Sequence, residues 1–82
     1  MGKLMDGLLK QLEDPNQSRN ARDCITIYNW IKSTDKDGRV WSSRWQPLVN
    51  VKWKGVYPRS VAIYSLNITG ENLLKGIDRR PR

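Results

Sequence analysis

The first apolar pattern in the chain has the period of a helix. In residues 3–13, KLMDGLLKQLE, Leu4, Met5, Leu8, Leu9 and Leu12 recur at spacings of three and four and form one stripe. Lys3, Asp6, Lys10, Gln11 and Glu13 lie opposite. The spacing predicts an amphipathic helix within residues 1–14, which Asp14-Pro15-Asn16 ends because proline disfavours helix in the residue before it. Gly7 costs such a helix up to about 1 kcal/mol relative to alanine, so the stripe needs something to pack on.

Residues 16–23, NQSRNARD, are polar and without a clear period, and read as a connector. From Cys24 the pattern changes. In CITIYNWIK, Ile25, Ile27 and Ile31 share one face of a strand, and Thr26, Tyr28, Trp30 and Lys32 share the other. Ser33 to Gly38 is a turn by composition, with Asp37-Gly38 a hairpin signal. Val40 to Trp45 alternates again and puts Trp41 and Trp45 on one side. Gln46-Pro47 interrupts, since a central strand does not tolerate proline. Leu48 to Lys54 predicts a further strand with Val49, Val51 and Trp53 turned inward and Asn50, Lys52 and Lys54 outward. After a turn at Gly55 and Tyr57-Pro58, residues 60–68 predict the last strand, with Val61 and Ile63 opposite Ala62, Tyr64, Leu66 and Ile68. A short helix from Thr69 through Leu73, Leu74 and Ile77 can follow.

These elements predict one small α+β domain spanning residues 1–82. Its N-terminal amphipathic helix packs on a twisted antiparallel sheet of about four strands, able to close toward a barrel. The strand-rich core is residues 24–68, and residues 76–82 form a flexible basic tail. A chain of 82 residues has a thin core, and the usual staples are missing: there is a single cysteine, Cys24, and no histidine to help hold a metal. Self-association is the staple left over.

Charge changes the picture more than composition does. The net charge is +7, yet residues 1–37 are balanced. From Gly38 to Gly70 there are five cations, Arg39, Arg44, Lys52, Lys54 and Arg59, and no carboxylate. Lys75, Arg79, Arg80 and Arg82 then outnumber Glu71 and Asp78. A field of that sign points to an anionic partner. Three tryptophans and Tyr57 are interleaved with it, and single-strand binders combine backbone-neutralising cations with rings on which bases stack.

Nucleic acid, RNA or single-stranded DNA, is therefore the expected partner. The expected contacts are Arg39, Arg44, Lys52, Lys54, Arg59, Arg79, Arg80 and Arg82, with Tyr57 and one of Trp41 or Trp45 stacking. Against this stands the need of a chain without phenylalanine to fill its core, for which the tryptophans, Trp53 first, are the large apolar pieces. The alternative is a protein-interaction or assembly module that docks Leu4, Leu8, Leu9 and Leu12 on a partner or a second copy, or uses a strand edge. A small viral or phage accessory protein would have these parts.

Inventory argues against catalysis. Without histidine the common general base is missing, Cys24 has no histidine to activate it, and the glycines never cluster into a phosphate loop. No cofactor, metal or small-molecule substrate is expected. Asp35-Lys36-Asp37-Gly38 looks like part of a calcium loop, but the register places Arg44 where the bidentate glutamate belongs. The sparse cysteine and the lack of a signal or spanning segment favour a soluble intracellular protein, with a membrane surface disfavoured. In that setting Asn67-Ile68-Thr69 is a chance glycosylation match, and Asp6 stands where a myristoylation motif wants serine or threonine.

Overall fold

The computed structural model describes residues 2–35 and 41–78. In chain order these form α1 (Lys3–Gln11), α2 (Ser18–Thr34), the short α3 (Trp41–Trp45), a 3-10 turn (Gln46–Leu48), β1 (Val49–Lys54), β2 (Val61–Leu66) and α4 (Ile68–Asp78). Over the described residues the fold is α+β, with four helices and one two-stranded antiparallel sheet that does not close. The expected sheet of about four strands, and its closure toward a barrel, are thereby corrected.

The correction comes from α2. The expected connector at 16–23 and the expected strand from Cys24 belong to one helix of 17 residues. Ala21, Cys24, Ile27, Tyr28 and Ile31 are its buried positions, spaced three, three, one and three, which is one face of a helix. Asn29, placed by the strand reading beside the inward isoleucines, is exposed. The hydroxyls of Thr26, Ser33 and Thr34 donate to the carbonyls of Arg22, Trp30 and Ile31 at 2.9, 2.8 and 3.0 Å. Residues that favour strands in isolation are thus satisfied inside a helix, and burial of the stripe overrides their propensity.

The expected strand at Val40 to Trp45 is likewise a single turn of helix over its described part, Trp41–Trp45. Positions four apart share a face in a helix as they do in a strand, so the two tryptophans still point the same way. Both set their rings edge-on to Tyr28, with centroids 5.2 and 5.8 Å away. Leu8, Cys24, Ile27, Tyr28, Ile31, Trp45, Leu48 and Val49 make the core, and Leu73, Leu74 and Ile77 of α4 pack against it.

The two strands lie where the alternation places them. Val49 pairs with Leu66, Val51 with Tyr64, Lys52 with Ile63, Trp53 with Ala62 and Lys54 with Val61. Asn67 then closes the sheet and opens α4. Its N–H donates to Leu48 O at 3.0 Å, and its side chain donates to Pro47 O at 2.7 Å while accepting from the Gly70 N–H at 2.9 Å. That acceptor role is an N-cap on the third helical residue.

Candidate nucleic-acid interface

The carboxylate-free run divides in the fold. Its first part is consumed by structure. Arg44, an expected contact, reaches back to the end of α2, where its Nη1 donates to Thr34 Oγ1 and to Asp35 Oδ1, both at 2.9 Å, with the guanidinium 5.0 Å over the Trp30 ring. It is the cation of a shielded ion pair rather than part of an open surface. Trp45, an expected stacking ring, is 5% exposed and belongs to the core, while Trp41 is half-buried against Tyr28. Trp45 thus offers no free face, and Trp41 only a partly exposed one.

The second part is open. Every residue from Asn50 to Arg59 is exposed, so β1 beyond Val49 is covered on neither face. Trp53, expected inside with the valines, is 69% exposed, and Tyr57 at the turn is 87% exposed. Val51 and Trp53 share the face that Val49 buries, but among the described residues nothing packs over its distal half. The helices cover only its root, where Val49 is buried and Tyr64 and Leu66 lie against the core.

Lys52, Lys54 and Arg59 have no carboxylate or hydrogen-bond partner for their side chains among the described residues. The register sets Lys52 and Lys54 on one face with Ile63 and Val61, and Trp53 on the other with Val51, Ala62 and Tyr64. Cations and ring thus occupy opposite faces rather than one mixed face. They meet only around the turn, where Gly55 takes the positive φ of 95° that L-residues avoid, and the Arg59 N–H closes on Val56 O at 2.8 Å. The Tyr57-Pro58 peptide within that turn is cis. The exposed part of the ribbon is therefore β1 beyond Val49 and the turn, while β2 from Ala62 to Leu66 is half-buried.

Arg39, Arg79, Arg80 and Arg82 lie outside the described residues. The leucine stripe is largely committed: Leu8 is fully buried, Leu4 packs on the core, Leu12 is half-buried and Leu9 remains exposed. Cys24 is also sealed in, and burial, with Asp23 beside it, pushes its thiol up to about 12, away from the thiolate that nucleophilic chemistry requires. No group of three metal-ligating side chains forms among the described residues, and no described helix is long and apolar enough to cross a membrane.

Exposure of Trp53 is the feature that sequence reasoning missed. The alternation carries no signal for it, since Trp45 and Trp53 fit the pattern alike and differ only in what packs on them. Compared with family models, with curated proteins and with solved structures, the chain matches none.

Proposed function

We propose that this protein is a non-catalytic nucleic-acid-binding module that works through the β1–β2 ribbon. One observation carries the reading: ten consecutive exposed residues, Asn50 to Arg59, that present three unpaired cations and two open aromatic rings with no carboxylate among them. Lys52, Lys54 and Arg59 replace counterions along the phosphates, and Trp53 and Tyr57 stack on bases. A two-stranded ribbon also has the width that a duplex major groove admits. Single strands and duplex are therefore separate arms of the test.

The test is a salt titration of binding to short RNA, single-stranded DNA and duplex DNA. Affinity that falls steeply with salt supports the reading, and the tighter arm identifies the mode. Affinity independent of salt, or absent at low salt, removes it.

A second reading, assembly through the ribbon, has its own observation. Val51, Trp53 and Val56 are exposed apolar side chains close together in the chain, and Val51 and Trp53 share a face. Light scattering across a dilution series separates the two. A mass above that of one chain that drops in Val51→Ser/Trp53→Ser favours assembly, whereas a monomer whose oligonucleotide affinity drops in the same variant favours nucleic acid.

A further inference from the structure

The outer edge of β2 faces α1 across a cleft of about 520 Å³, within the range of about 300–1,000 Å³ typical of ligand sites. One wall is the α1 face bearing Lys3, Gly7 and Lys10, and the other is residues 61–64 of β2, with Lys54 reaching in from β1. At one end the edge is already paired, though with a side chain. The Gln11 amide donates to Tyr64 O at 2.8 Å and accepts from the Tyr64 N–H at 3.0 Å, as a neighbouring strand would. Tyr64 therefore turns both main-chain groups away from β1. In an antiparallel pair the direction repeats every second residue, so the N–H and C=O of Ala62 also point into the cleft. Ala62 has no hydrogen-bond partner there among the described residues.

We infer that this cleft takes an extended acidic peptide, which continues the pairing that Gln11 begins by adding a short strand along Ala62. The main-chain groups of Ala62 supply the pairing, and the cleft between α1 and the β2 edge supplies the space for a second backbone. Charge names the occupant. Lys3, Lys10 and Lys54 surround the open edge and Asp14 is the one acid in the lining, so a segment with carboxylates at alternate positions is complementary and a basic one is repelled.

The test uses the full chain and two blocked decapeptides, one alternating glutamate with valine and one alternating lysine with valine, with no nucleic acid present. The outcome is thus independent of the ribbon's role. The acidic peptide is expected to bind, to slow hydrogen exchange at the Ala62 amide and to outbind the basic peptide at least about tenfold. Ala62→Pro removes only the donor that points into the cleft, a position where an edge strand tolerates proline, and is expected to weaken binding about three- to tenfold. If that variant fails to fold, Lys3→Glu/Lys10→Glu on the exposed helix face provides the same readout. The inference is overturned if the acidic peptide does not bind, if it binds without slowing Ala62 exchange, or if the edge is instead covered by a second copy of the chain.

Discussion

Gln11 and Tyr64 are 53 residues apart, yet the Gln11 side chain makes a two-point pairing with the Tyr64 main chain, donating at 2.8 Å and accepting at 3.0 Å. Gln11 is 5% exposed, and its pairing ties α1 to the edge of β2. Gln11→Ala leaves two partly buried main-chain groups without partners and is expected to lower unfolding free energy by about 2 kcal/mol in a urea titration with unchanged m. Gln11→Glu keeps the acceptor but turns a second oxygen toward Tyr64 O. Protonation restores the donor, so the folded state of this variant raises the carboxyl pKa. Its deficit is expected to be smallest below the usual glutamate value of about 4.3 and to grow as pH rises through the folded value.

Gly70 shows how closely α4 is set against the 3-10 turn. A Cβ there would collide with Leu48 O and lie 3.1 Å from Leu66 Cδ2. Gly70→Ala, which in an open helix would stabilise by about 1 kcal/mol, is expected to destabilise by about 2 kcal/mol or more, measured by thermal unfolding. Gly76→Ala, with nothing near its Cβ, is expected to show the ordinary gain.

Arg44 tests the other half of the original basic run. Asp35 exposes 3% of its side chain and Arg44 38% of its own, so removing the arginine strands a shielded carboxylate. Arg44→Ala is expected to cost about 2 kcal/mol, less than for a fully buried pair because water reaches the guanidinium. In the same variant, oligonucleotide affinity measured on the folded protein is expected to change less than twofold, about 0.4 kcal/mol.

These residues show what could be read from the order of amino acids. Where apolar alternation met the local rules, in β1, β2 and the turn at Gly55, the elements and the sorting of faces were legible. So was the stripe of α1 with Leu8 at its centre. The helix α2 was not, because its β-branched and aromatic residues imitate a strand once Ala21 is cut off into a connector. Its true period shows only when the window starts at Ser18. For the site, Lys52, Lys54, Tyr57 and Arg59 were legible as charge and composition. The reversal of Trp45 and Trp53, one buried and the other open, was not, because both fit an alternating pattern and only the packing of α3 on Tyr28 separates them.

Cys24 provides a probe of the whole core. Its thiol is expected to resist alkylation in the native state at pH 8 and to react at the rate of unfolding. The folded chain holds the proton to about 12 against an ordinary 9.0, so the stabilisation is complete below about pH 9 and is lost as pH rises toward 12. Wild type is expected to lose more stability over that window than Cys24→Ala, read as the difference between their denaturant midpoints at each pH.

The ribbon's role is tested most directly by the salt dependence of oligonucleotide affinity for the wild type beside Lys52→Ala/Arg59→Ala. If the two cations contact phosphates, the slope of log affinity against log salt becomes shallower by about 1 for each contact removed. Slopes that coincide, with equal affinities at low salt, would contradict nucleic-acid binding through the β1–β2 ribbon.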